Sequence, residues 1–158
     1  MTRRFLLLLA LLLPSLAAAQ PGVDRPQPKL RVEPMTIVTR DGTRHALRVE
    51  MAVRPEDQTI GMMFRTSMEP DEGMLFDWGQ PRESAMWMRN TLIPLDMVFI
   101  AADGRIHRIA ERAVPQSLAT IESRGPVRAT LELQGGAAER LNLRVGDRVE
   151  HRIFGTAR

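Results

Sequence analysis

Five residues carry chemistry that could serve a function: Trp87, Asn90, Thr91, Asp96 and Glu132. Asp96 stands in an apolar stretch, after Ile93-Pro94-Leu95 and before Met97-Val98-Phe99. A carboxylate there needs a partner or a task, because burying an unpaired charge is costly. Glu132 interrupts Leu131 and Leu133 and, by strand alternation, points to the opposite face from them. Asn90 and Thr91 lie just upstream of Asp96, across the bend at Pro94. One reading gathers all five into a polar pocket with Trp87 as a flat platform. An indole beside carboxylates and an amide suits a sugar, whose C–H groups stack while its hydroxyls find acceptors. The same two carboxylates could form an acid/base pair for glycoside cleavage, which depends on a separation that sequence does not give. The plainer reading is that Asp96 and Asn90 cap turns and bond backbone amides, and that Glu132 pairs with a surface arginine.

Methionine is frequent: ten in the chain, nine of them beyond residue 19. In a strand, Met86 and Met88 would share one face, and thioethers suit Cu(I). His107 or His45 could complete such a site, although methionine is also a common core filler. The three histidines, His45, His107 and His151, have no HxH or HxxxH spacing, so no zinc site is expected. No serine sits in a nucleophile-elbow context, and the chain has no cysteine. Gly135-Gly136 reads as a turn. Arg54, Arg65, Arg82 and Arg89 either gather near Glu72 and Glu83 or stay solvated. No cofactor is expected.

These residues must be positioned by short elements. Asp41-Gly42 predicts a tight turn joining two strands over Met35 to Val53. In the second, Leu47, Val49, Met51 and Val53 alternate with Ala46, Arg48, Glu50 and Ala52. Pro55 to Phe64 reads as a short helix, with proline and acids in its first turn. A loop over 69–73 precedes a short buried strand at Met74-Leu75-Phe76. Ser84 to Asn90 reads as extended, and Asp96 to Ala101 and Arg105 to Ala110 as a second hairpin turned by Asp103-Gly104. Val114 to Gly125 reads as loop, Val127 to Leu133 as a strand, Gly135 to Leu141 as a short helix, and Arg148 to Ile153 as a closing strand. The expected fold is α+β and predominantly antiparallel: a compact, small barrel-like or sandwich-like sheet with two short helices. The short segments do not suit a parallel βαβ sheet.

Four blocks carry a resemblance: Gly61-Met62-Met63-Phe64-Arg65, Gly73-Met74-Leu75-Phe76, Trp87 through Asp96, and Leu131-Glu132-Leu133, followed by Gly146-Asp147. In their order and spacing the chain resembles domain of unknown function 192, a bacterial and archaeal family, over about Met35 to Ile153. The resemblance implies a small mixed α/β domain rich in strands, often exported, and brings no agreed activity. The family usually has Phe before the Trp, where this chain has Met86. Copper binding through Met86 is therefore not a family trait.

The start of the chain predicts export. Arg3 and Arg4, the apolar run from Phe5 to Leu13, and Ala17-Ala18-Ala19 read as a signal peptide over residues 1–19. The apolar run is short for a membrane span, and a chain without cysteine offers no thiol for a lipid. Residues 20–34, with four prolines, read as a flexible tether, and 35–154 as a single globular domain. The whole chain carries +3; without Arg3 and Arg4 it is close to neutral, which gives a nucleic-acid role little electrostatic support. The expected partners are a small polar ligand or an envelope protein, with no nucleic acid and no membrane after cleavage. The expected compartment is the periplasm or the exterior. The favoured reading is a non-enzymatic binding module, against a glycan hydrolase, an interaction module and a Cu(I)-binding protein.

Overall fold

A computed structural model describes residues 23–157; the expected signal peptide lies outside them. The elements run β1 (Val32–Val38), β2 (Arg44–Ala52), α1 (Pro55–Ile60), β3 (Glu72–Met86), β4 (Leu95–Ile100), β5 (Ile106–Ala113), β6 (Ile121–Gln134), α2 (Ala137–Arg140) and β7 (Arg148–Glu150), with a 3-10 turn at Arg152–Phe154. The strands form one sheet in the order β5-β4-β6-β3-β2-β1-β7. All neighbours are antiparallel except β2 and β3.

Local chemistry explains most boundaries. The β1–β2 turn closes because Asp41 Oδ1 accepts from the Thr39 hydroxyl (2.6 Å) and the Thr43 N–H (3.0 Å). Gly42 supplies the left-handed backbone there, with φ of 86°. Helix α1 starts at Pro55 as expected but stops at Ile60. Gly61 packs so closely that a Cβ would sit 2.9 Å from the Phe76 ring. The chain leaves the helix there, and Phe64 adopts φ of 60° instead of continuing it.

Three expectations are corrected. The β2–α1–β3 connection makes one parallel pairing, a crossover the short segments were not expected to suit, in a sheet that is otherwise antiparallel as expected. The two extended pieces at 74–76 and 84–90 are largely one long strand, β3, and β6 likewise starts at Ile121 instead of Val127. These strands stay paired through register shifts near Pro81 and Pro126, where a proline cannot donate to the ladder and the ribbon bends. The tether is also shorter than expected. Gln27 is buried and its amide donates to the carbonyls of Asp57 (3.1 Å) and Gly61 (3.0 Å), and β1 begins at Val32.

The sheet curls until its two edges meet at one end. Ile106 N–H donates to Asp147 O, Gly146 N–H to Ile106 O, and Val149 N–H to Gly104 O, at 2.7–2.9 Å. The result is a half-barrel with a core on each face. The enclosed core holds Ile37, Val49, Leu75, Val98, Leu131 and Val149. The other face carries a second buried cluster, with Met62, Met68, Met74, Met86, Met88 and Met97 beside Phe76 and Phe99. Among the described residues no helix is long and apolar enough to cross a membrane.

Candidate functional site

The β4–β6 ladder decides where the candidate carboxylates go. Asp96 pairs with Leu133, and Met97 with Glu132. Directly opposed residues share a face, so Asp96 points into the enclosed core and Glu132 into the methionine cluster. The sheet lies between the two carboxylates. The acid/base pair considered for glycoside cleavage therefore has no common face, and the five-residue pocket is not assembled.

Asp96 is fully buried and fully employed. Its Oδ1 accepts from the Arg112 N–H (2.7 Å) and the Gly136 N–H (3.0 Å), and Oδ2 from the Ala138 N–H (2.8 Å). Arg112 sits at a β-bulge with φ of 48°, and Gly136 and Ala138 open α2. One carboxylate thus satisfies a bulge and the first turn of a short helix. Gly135 belongs to the same turn: a Cβ there would meet the Pro94 Cβ at 2.8 Å.

Glu132 has the opposite environment. It is 4% exposed, and its Oε2 has no hydrogen-bond partner. Burial among apolar side chains pushes its pKa up to about 8. Among the described residues no surface arginine pairs with it. The ladders place it in a row across four strands, Glu50 on β2, Met74 on β3, Glu132 on β6 and Met97 on β4, each directly opposite the next.

At the β2 end of this row lies a cleft of about 320 Å³. Arg65 and Glu50 form its polar wall, joined by Nη2 to Oε2 at 3.0 Å with side chains 14% and 13% exposed. Glu50 Oε2 also accepts the Leu30 N–H at 2.7 Å, while the Arg65 Nε is buried without a partner. Lys29 faces Glu72 across the rim at 3.2 Å. Met62 and Met68 line the cleft and also belong to the methionine cluster.

Asn90 braces the loop of this cleft, and Thr91 does not reach it. The Asn90 carbonyl accepts the Phe64 N–H at 2.8 Å, and its amide reaches the Met63 sulfur at 3.9 Å. Asn90 has φ of 53°, so two left-handed residues brace each other and fix the loop that carries Arg65. Thr91 is buried, with its hydroxyl on the Arg89 carbonyl at 3.3 Å. Trp87 is 46% exposed and lies under the Arg89 guanidinium, away from the buried Met86 and Met88.

Of the two alternatives for the arginines, gathering near Glu72 and Glu83 is not what the structure has; they make separate contacts. Arg54 pairs with Asp57 and Glu56, Arg65 with Glu50, and Arg82 covers the Trp78 ring. The histidines stay apart from Met86 and Met88. His107 reaches the Arg124 carbonyl, and His45 stands opposite Ile37, whose side chain is in the other core. His151 is buried, with Nε2 3.1 Å from Glu33, and burial lowers its pKa. Among the described residues no group of three histidines or carboxylates could hold a metal ion. The Arg65–Glu50 pair escapes a sequence reading because fifteen residues of crossover separate its members. The polar parity of Glu50 in β2 is the signal that was available.

A family model described as DUF192, Uncharacterized ACR, matches residues 36–151. The chain belongs to the DUF192 family. Two solved structures resemble it. One is a candidate transcription regulator from Sinorhizobium meliloti 1021, 47% identical, with a TM-score of 0.78, covering 80% of this chain and 98% of that one. The other is a protein of unknown function from Novosphingobium aromaticivorans DSM 12444, 42% identical, with a TM-score of 0.76, covering 85% of this chain and 94% of that one. No curated protein matches the chain. Of the four sequence blocks, the first forms the cleft loop, the second lies in β3, the third carries the Asn90 brace, and the fourth lies in β6 with Glu132.

Proposed function

We propose that this DUF192 domain is a non-enzymatic binding module, exported through residues 1–19, that takes a small polar ligand of the cell envelope into the cleft beside Arg65. A carbohydrate or another hydroxyl-rich molecule is the class to test first. The observation that carries the reading is the Arg65–Glu50 pair, largely withdrawn from water yet forming the wall of an open concavity. A guanidinium presents donors in a fixed plane, and a carboxylate presents only acceptors. Together they match a ligand whose hydroxyls both donate and accept. Thr66 and Ser67 add hydroxyls to the same wall, and Phe64 and Met62 add apolar surface.

The test is a thermal-shift panel of glycans, amino acids and nucleotides on the chain from Gln20. A ligand at about 100 times its dissociation constant adds roughly 2.7 kcal/mol, several degrees for a domain of this size. A shift lost in Arg65→Gln supports the cleft. A shift that survives in that variant, or silence across the panel, overturns it.

A second reading has its own observation. Trp87, Leu92, Val114 and Leu118 are exposed apolar side chains on two loops, tied by Met88 N–H to Ser117 O and Gln116 N–H to Thr91 O. Such a patch suits an envelope protein partner. A role like that of the candidate regulator from Sinorhizobium is less favoured. The chain beyond residue 19 is close to neutral, and nine arginines of the described residues stand within ion-pair distance of carboxylates, so nucleic acid would meet little net positive charge.

A further inference from the structure

We propose that Glu132, with the thioethers of Met74 and Met97, forms a buried site for a soft monovalent cation, Cu(I). This site differs from one built on Met86, Met88 and a histidine, and it does not depend on the polar-ligand reading. Three observations carry it.

First, Glu132 is the kind of group that requires an explanation. It is 4% exposed and one carboxyl oxygen has no partner. A buried acceptor left unmade is costly, and such groups commonly mark an ion or a functional role. An apolar residue at this position would fill the space without that cost.

Second, the side chains around the carboxyl select the ion. Met74 and Met97 flank Glu132 directly on the two neighbouring strands of the same face. Cross-strand neighbours of this kind have Cβ atoms about 5 Å apart. Met62, Met68, Met86 and Met88 belong to the same buried cluster. Hard cations such as Ca²⁺ and Mg²⁺ take six or more oxygen ligands, which this surrounding does not offer. Thioethers favour Cu(I). Charge selects in the same direction. One carboxylate neutralises one monovalent cation, whereas a divalent ion would leave a net charge in an apolar interior. Binding displaces the Glu132 proton to solvent, and no change of oxidation state is involved.

Third, the site has an approach. Met62 and Met68 belong to the cluster and also line the open cleft. Methionine side chains are flexible and polarizable, so they can pass a cation inward by successive sulfur contacts.

The experiment is competition for Cu(I) against a chromophoric Cu(I) chelator, under reducing conditions, with the chain from Gln20. Ag(I), which has the same softness and no redox chemistry, serves as a second probe. The expected result is one equivalent bound per chain and sulfur scatterers in the copper X-ray absorption spectrum. Glu132→Gln should weaken binding by at least about tenfold, and Met74→Leu with Met97→Leu should abolish it. These exchanges nearly conserve volume, so the domain should still fold; circular dichroism checks that. Arg65→Gln should leave Cu(I) binding intact, which separates this site from the polar-ligand reading. No competition by the wild-type chain, or competition unchanged in Glu132→Gln and in the double methionine variant, would overturn the assignment.

Discussion

Asp96 and Glu132 sit on neighbouring strands, one residue out of register, and live in opposite worlds. Each is a carboxylate in an apolar strand. Asp96 meets three backbone N–H groups within 3.0 Å; the Glu132 Oε2 meets none. The difference follows from what covers each face. Below Asp96 the chain ends a β-bulge and starts a helix, two places where the backbone leaves donors unspent. Above Glu132 lie methionines, which donate nothing. Burial alone therefore says little about a carboxylate; its supply of donors says whether it is a structural rivet or a group held at a cost. A domain stabilised by 5–15 kcal/mol keeps such a group readily only if the group has a use.

The largest effect should come from the satisfied carboxylate. Asp96→Ala orphans three buried or part-buried amides, each in a charge-assisted bond worth about 1.5–3 kcal/mol. The loss should be roughly 5 kcal/mol, read as a fall in the urea midpoint with an unchanged slope. A loss under about 1 kcal/mol would mean that water replaces the carboxyl and that the contrast with Glu132 is false.

Glu132 should show the opposite sign and a pH signature. Its folded pKa, about 8, lies above the ordinary 4.5. Below pH 4.5 both folded and unfolded chains hold the proton, and the group is neutral to stability. Between 4.5 and 8 the unfolded chain releases the proton and the folded one keeps it, so stability falls as pH rises, by a few kcal/mol in all. In metal-free protein Glu132→Gln should flatten that slope and raise stability at pH 8, with little change at pH 4. Denaturation at four or five pH values decides it; parallel profiles for the two proteins would show that the carboxyl finds a partner in solution.

The same pair of residues measures how far the sequence could be read. Alternation told that Glu132 opposes Leu131 and Leu133, and the apolar neighbours of Asp96 told that it needed partners. Both inferences were local and both hold. The partners themselves were out of reach: Arg112, Gly136 and Ala138 lie 16 to 42 residues away. Hairpins behaved like Asp96's neighbourhood, since Asp41-Gly42 and Asp103-Gly104 encode their turns in two residues. The parallel β2–β3 pairing did not, because a crossover's register comes from packing and not from turn chemistry. The bends near Pro81 and Pro126 looked like strand ends, since bulge and terminus share the same residues.

Arg65 tests the middle of the scale. Arg65→Gln removes one member of a mostly buried pair and leaves Glu50 with the Leu30 N–H. A loss of about 2 kcal/mol is expected, smaller than for a fully buried pair because both groups keep some water. The same variant should lose any ligand-induced thermal shift.

Trp87 should matter least to stability and most to the choice between readings. Nearly half exposed and stacked only by Arg89, it adds little to the fold, so Trp87→Ala should change stability by no more than about 0.5 kcal/mol. If the cleft beside Arg65 is the site, ligand shifts should survive this substitution as well, because Trp87 points away from the methionine cluster that floors the cleft. If shifts vanish in Trp87→Ala while Arg65→Gln keeps them, the binding surface is the loop patch with Leu92, Val114 and Leu118, and the cleft is not the ligand site. Titrating one ligand against both variants therefore assigns the binding surface to the cleft or to the loop patch.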